Sequence, residues 1–372
     1  MKKNIWTYLA LLCLAYGMLG VLNKYLISGE SAFGTSSALP WGSLIAAYVF
    51  FAVSATGTGL VASLGHVFRI KKFEALTKRA LLASILLLTA GFGILAIELS
   101  NPFKMIWLLF TPNPASPIFW MGVFYGLYLI LLLAEFYFTL KNMHVLATVI
   151  AHASFLVKLA AVINLGRVFG FSMTRGFWQG YYYSAYMVVS ALVSGAAILL
   201  VILYLQGRDK AAGQAQDDLS STLGKILAGA LILLGTMQFL KFGSALISGD
   251  PTLLGAAKSI LIGPAAPSFW LLEIGLGMIL PLGILFSSRF SSCGHSFLAA
   301  AFTMLGLLFS RLNFVYAGLA VPLQALANGT PAGSYNSYTS TWSEWSLIIG
   351  ALGFIILMFN LAESKLTLDS HN

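Results

Sequence analysis

Four charged side chains set the terms for this sequence. Glu98, Lys241, Glu273 and Arg311 each fall inside or at the end of a long apolar run, and a charge at membrane depth costs at least a few kcal/mol. Counting along the runs puts all four in one half of the bilayer. Glu98 ends one run and Lys241 comes late in another, while Glu273 lies about two turns and Arg311 about four turns into two more. Two acids and two bases in one leaflet make either a set of ion pairs or a polar chamber for a ligand with exchangeable protons. A second series points to the opposite face. His152 and Lys158 occupy the middle of one run, His144 opens that run, Glu135 nears the inner end of the run before it, and His66 stands near the end of an earlier one. Histidine titrates near neutral pH, so these five are candidates for a proton relay from mid-membrane to the inner face. For Glu135 and His144 the plainer alternative is a solvated position at the membrane edge, and for His66 it is a satisfied polar residue there.

Membrane helices are what position these groups. The chain has 372 residues, 59% hydrophobic and only 9% charged, whereas a soluble domain carries about 25% charge. Ten stretches, 5–27, 41–68, 76–99, 117–140, 143–166, 179–206, 221–247, 267–288, 296–320 and 342–362, are long enough to cross a hydrocarbon layer about 30 Å thick. The ten-residue alternating segments of a β-barrel are absent. The expected fold is therefore all-α, with about ten transmembrane helices. The first run looks like a signal peptide but lacks a clear small-residue cleavage site, so it reads as a retained helix.

If the N-terminus is cytoplasmic, the inner segments hold Lys2, Lys3, Arg69, Lys71, Lys72, Lys78, Arg79, Lys141, Arg208, Lys210, Arg289 and Lys365. The outer segments hold Lys24, Lys104, Arg167, Arg175 and Lys258. This bias favours both termini inside and accounts for much of the net charge of +9 without a nucleic-acid partner. The most polar connection, GRDKAAGQAQDDLSST at 207–222, reads as a cytoplasmic linker.

The spans also repeat. NPASPIFW (113–120) and GPAAPSFW (263–270) agree at five of eight positions, and LTKRALLASILLLTAGF (76–92) agrees with LGKILAGALILLGTMQF (223–239) at eight of seventeen. Trp41 matches Trp178 and Tyr48 matches Tyr186, while His144 and His295 each precede a span with one deep cation, Lys158 and Arg311. Spans two to five and six to nine thus read as two tandem four-helix bundles in parallel orientation, flanked by spans one and ten. The expected boundaries are 1–40 for the first helix and an outer loop, 41–170 and 171–322 for the bundles, and 323–372 for an outer loop, the last helix and a cytoplasmic tail. In the repeated phrase, proline presets a first helical turn and Phe-Trp anchors the span at the lipid boundary.

Several chemistries find no support. An iron–sulfur cluster needs about four thiolates, and the chain has only Cys13 and Cys293. Haem needs facing histidines at matching depth; His66 and His144 come near this, His152 has no such partner, and no metal site is expected. No phosphate-binding glycine loop appears in strand context, since ATGTG at 55–59 lies inside a span, where small residues let helices approach. Any electron chemistry therefore needs a redox partner.

PWGSLIAAYVFFAVSATGTGLVASLGHVF (40–68), followed by AIELSNPFKMIWLLFTPNPASPIFW (96–120), resembles the NrfD/PsrC (polysulfide reductase) family of quinone-reactive membrane subunits. PSFWLLEIGLGMILPLGIL (267–285), SRLNFVYAG (310–318) and STWSEWSLIIGALGFI (340–355) are similar to a ten-helix branch that includes the HybB-type hydrogenase membrane subunit. The resemblance implies a site for menaquinone or another quinone, near a face contacted by a ferredoxin-like iron–sulfur subunit. It further implies a molybdopterin or other catalytic subunit, with cytochrome subunits in some complexes, in a bacterial or archaeal cytoplasmic membrane. Coupling to proton movement would follow from the same chemistry. By position, Glu98, Glu273 and Arg311 carry over as quinone-site candidates, joined by Trp120 and Lys241. One departure is clear: family members often have Gly-Arg-Pro after the first acid, and this chain reads Leu99-Ser100-Asn101-Pro102. The rival readings are a secondary transporter and a structural membrane anchor. Against the transporter stand the parallel repeat and the lack of matched helix breaks, since Pro281 has Leu131 as its counterpart.

Overall fold

The computed structural model of the chain describes residues 5–172, 174–207, 214–322, 335–366 and 368. Lys2, Lys3, Arg208 and Lys210, together with the 323–334 part of the expected outer loop, lie outside the described residues. Among the described residues every regular element is a helix, and ten helices are long and apolar enough to cross a membrane. The protein is a multi-pass, all-α membrane protein, as its composition dictates.

In chain order the helices are α1 (Ile5–Leu22), α2 (Ser43–His66), α3 (Lys71–Glu98), α4 (Lys104–Phe110), α5 (Pro117–Leu140), α6 (His144–Gly170), α7 (Tyr182–Gly207), α8 (Gln214–Ile247), α9 (Pro251–Leu261), α10 (Ser268–Ser287), α11 (Cys293–Leu319) and α12 (Trp342–Lys365). Two of them, α4 and α9, are short helices that fall between the expected spans. Each precedes one copy of the proline–aromatic phrase. The carboxylate of Asp250 caps α9, accepting from Thr252 N and Oγ1 at 2.7 Å each, and Pro251 fits the first turn, where no N–H is needed. The two tryptophans then close the connections: Trp120 Nε1 donates to Pro114 O and Trp270 Nε1 to Leu261 O, both at 2.9 Å. Trp120 also stacks on Phe124, with ring centres 5.5 Å apart.

The buried centre is α2, whose residues are enclosed almost throughout. It packs on α3, α6, α7 and α11. Its approach to α7 depends on glycine: a Cβ on Gly57 would run into the Ala191 carbonyl, and one on Gly195 into the Gly57 carbonyl. Small residues of this kind let membrane helices touch backbone to backbone. Trp41 and Trp178, just ahead of α2 and α7, stack at 5.3 Å, so the two helices run in parallel. Around them α2, α3, α5 and α6 pack on one another, as do α7, α8, α10 and α11, while α1 lies against α12.

Consecutive spans alternate in direction, as when Asn164 of α6 donates to Pro117 O at the start of α5, at 2.9 Å. The molecule thus has two membrane faces. One holds Trp41, Glu98, Pro117 and Tyr182; the other holds His66, Leu140 and Ser287. At the His66 face the turns are short and use left-handed residues, Arg69, Asn142, Arg289 and Phe290.

Candidate functional site

The most developed polar site forms near the Trp41 face, between α7, α8, α10 and α11. The first twelve residues of α10 (Ser268–Ile279) are π-helical. Such wide turns are uncommon and gather at functional sites. They set Glu273 inward, 3% exposed. Neutral amides, not cations, hold its carboxylate: Gln238 Nε2 donates to Oε1 at 2.5 Å and Asn313 Nδ2 to Oε2 at 2.7 Å. Gln238 Nε2 also reaches the Tyr186 hydroxyl at 3.2 Å, and that hydroxyl pairs with Ser310 Oγ at 3.0 Å.

Beside the carboxylate lies a small, partly open cavity of about 30 Å³. Its walls are largely aromatic, from Phe177, Tyr182, Tyr183, Phe242, Phe269 and Phe314. Lys241 stands three residues after Gln238, on the same face of α8, with its Nζ 5.3 to 5.4 Å from the ring centres of Phe177, Tyr182 and Tyr183. Among the described residues Lys241 has no ion-pair partner, and the buried Tyr182 hydroxyl and Gln238 Oε1 have no hydrogen-bond partner. Flat ring walls, a buried carboxylate and uncommitted polar atoms suit a planar, mostly apolar ligand with polar oxygens.

Of the four outer-leaflet residues singled out from sequence, Lys241, Glu273 and Arg311 gather on this set of helices. Arg311, 1% exposed, does not bond the carboxylate. It donates to Ser190 Oγ of α7 and lies 5.6 Å over the Tyr186 ring, with Nε and Nη1 buried and unpartnered. Glu98 sits apart at the end of α3, where the nearest charges are Glu344, Lys24 and Glu30. Lys24 Nζ caps the same helix end, donating to Ile97 O and, at 3.3 Å, to Leu99 O. Trp120 takes part in the loop closure described above.

The inner series divides. Glu135, 2% exposed, faces His66 at 3.1 Å, and Lys158, 1% exposed, donates to Gly59 O at 2.9 Å and to Ser63 Oγ at 2.8 Å. His152 is exposed on the outside of α6, its Nδ1 2.8 Å from Thr148 O, and His144 is exposed at the helix start. Six residues separate His152 from Lys158, about 240° round a helix, so the two cannot share a face. Cys13 and Cys293 are free thiols, and among the described residues no group of three or more His, Cys, Asp or Glu side chains converges.

Sequence reasoning missed Gln238, Asn313 and the Tyr182–Tyr186 cluster. The signal was present: neutral amides inside apolar runs and the tyrosine-rich YYYSAY at 181–186, both costly in lipid unless they face a partner.

Comparison with known proteins matches residues 32–322 to the family described as "Polysulphide reductase, NrfD". The chain is 25% identical over 411 aligned residues to a selenate reductase subunit of Mesobacillus selenatarsenatis, across 97% of this chain and 93% of that one. It is 23% identical over 336 residues to the Hdr-like menaquinol oxidoreductase integral membrane subunit of Archaeoglobus fulgidus, across 88% and 84% of the two chains.

Proposed function

Since the chain belongs to the NrfD polysulphide reductase family, we propose that it is the quinone-reactive membrane subunit of a respiratory oxidoreductase complex. The observation that carries this reading is the aromatic cavity with Glu273 on its wall. A quinone, when bound, supplies the redox chemistry, taking up two electrons and two protons on full reduction. The residues supply the rest. The rings of Phe177, Tyr183 and Phe314 form an apolar wall against which a flat head group lies, and they exclude water. Gln238 and Asn313 fix the carboxylate of Glu273, which exchanges a proton with an oxygen of the head group. Lys241 and the Tyr182 hydroxyl offer donors to polar oxygens at the mouth.

Two further elements belong to this proposal. An iron–sulfur subunit with a catalytic, molybdopterin-type subunit exchanges the electrons, in keeping with relatives named as subunits of a selenate reductase and a menaquinol oxidoreductase. The His66 face is cytoplasmic, because Arg69, Lys71, Lys72, Lys141 and Arg289 cluster there.

The test is Glu273→Gln in the assembled complex. Quinol-linked turnover is expected to fall by about 10² or more, while reduction by an artificial dye acting directly on the partner subunits stays at the wild-type rate. A structural anchor predicts the opposite: unchanged quinol-linked turnover would remove Glu273 and its cavity from the reaction.

A further inference from the structure

We propose that the outer side of α6 is a docking surface for a transmembrane helix of another membrane subunit, held by a hydrogen-bond donor that the partner helix presents to His152. The surface belongs to the first bundle, away from the Glu273 cavity, and does not depend on what that cavity binds.

Helix α6 packs on α2, α5 and α7, and the buried side it turns to them carries Ala147, Ala151, Ser154, Lys158 and Val162. The opposite side is open. Val145, Val149, His152, Leu156 and Ile163 are exposed along it, and the half-buried Leu159 fills the step between the last two. Successive steps of four, three, four, three and four residues make a heptad seam, the spacing with which two helices wrap into a left-handed pair. Lipid accepts five of these six residues. It does not accept the histidine.

His152 lies eight residues from the start of α6 at the His66 face, about 12 Å along the helix. Its Nδ1 donates to Thr148 O, one turn back, at 2.8 Å. With that hydrogen committed, the uncharged ring has only a lone pair at Nε2, and among the described residues nothing donates to it. A hydroxyl on an open side solves this within its own helix: Thr236 of α8 is exposed too, but its Oγ1 donates to Ile232 O at 2.9 Å. A histidine cannot turn both nitrogens back on one helix. Polar side chains at membrane depth face protein, and lipid tails offer no donor. The other bundle shows what lipid alone selects. Six residues before the deep cation stands His152 in α6, counted from Lys158, and Leu305 in α11, counted from Arg311. Leu305 is 44% exposed, an apolar residue on an open side.

The hydrogen that Nε2 lacks sets the partner's chemistry. The docked helix carries a hydroxyl or amide donor, from Ser, Thr, Tyr, Asn or Gln, about 12 Å in from the His66 face. A second copy of this chain does not supply it. A twofold axis along the membrane normal sets His152 against its own symmetry mate, with two bare lone pairs facing each other. The seam therefore takes a different subunit.

The test places a photoreactive benzoylphenylalanine at Val149 or at Leu156 in the complex as it stands in native membranes, with Leu305 as the control site. Illumination is expected to join α6 to a membrane segment of another subunit. Mass spectrometry of the joined peptides should show a hydroxyl or amide residue in that segment at the depth of His152, while the Leu305 site yields lipid adducts only. His152→Leu puts an apolar residue on an open side, so the chain itself folds as before. It should raise the dissociation constant of the joined subunit in detergent roughly three- to twentyfold, whereas His152→Gln, whose amide oxygen accepts in place of Nε2, should keep it near the wild-type value. Removing the partner's donor should have the same effect as His152→Leu, and the double variant should lose no more than either single one. Lipid adducts alone at both seam positions, a crosslink to a second copy of this chain, or a wild-type dissociation constant in His152→Leu overturns the proposal.

Discussion

Two amides hold a carboxylate without cancelling its charge, and that distinguishes Glu273 from an acid locked in an ion pair. Gln238 and Asn313 fix both oxygens, yet neither competes for the proton as an arginine would. Removing one of them should loosen the carboxylate while leaving it chemically able. For Asn313→Ala, a lost hydrogen bond to a charged group is worth about 1.5–3 kcal/mol, so quinol-linked turnover should drop by tenfold or more, with the dye-driven rate unchanged. Steady-state kinetics on both substrates would check this, and an equal loss on both would point to assembly instead. At this scale the sequence revealed the charges and hid their directions. Depth follows from counting residues, so Glu273, Lys158 and Glu135 were legible as buried candidates. Which way a side chain points depends on neighbours far away in the chain. Glu98 therefore looked like a partner of Glu273 although α3 ends beside Lys24 and Glu344, whereas the six-residue spacing of His152 and Lys158 already put them on different sides of a helix, which a count of depth alone passes over.

Elements explain other omissions. The ten spans were legible because length and apolarity alone define them. By contrast α9 is only eleven residues long and hides between spans, and the π-helical stretch of α10 leaves no mark in a run that is apolar all round. What makes α9 a helix is its start. The Thr252 side chain and backbone N–H hold the Asp250 carboxyl below the ordinary carboxylate range. A depressed acid contributes stability that is present above its unfolded pKa and is lost as pH falls through the folded value. Amide exchange across residues 251–261 should therefore be steady from neutral pH down to about pH 5 and rise below about pH 4. Asp250→Ala should cost the helix about 1 kcal/mol at neutral pH, seen as roughly fivefold faster exchange there. An Asp250 variant with wild-type protection and the same pH response would mean that packing, not the cap, holds α9.

At the scale of the whole molecule, the two polar clusters lie toward opposite faces: Glu273 with its cavity near the Trp41 face, His66 with Glu135 at the other. Their separation gives orientation a consequence. With the His66 face in the cytoplasm, the cavity, and on the reading proposed above its quinone, lies toward the outer side of the membrane. With the reverse orientation it would lie toward the cytoplasm. The basic residues of the His66 face argue for the first arrangement, and the turns allow a direct check. Ala115 and Ser291 are exposed in connections on the Trp41 and His66 faces respectively. In a background with Cys13 and Cys293 replaced by serine, Ala115→Cys should react with a membrane-impermeant maleimide on intact cells, and Ser291→Cys only after the membrane is opened. The reverse labelling would turn the molecule over and place the cavity at the cytoplasmic face.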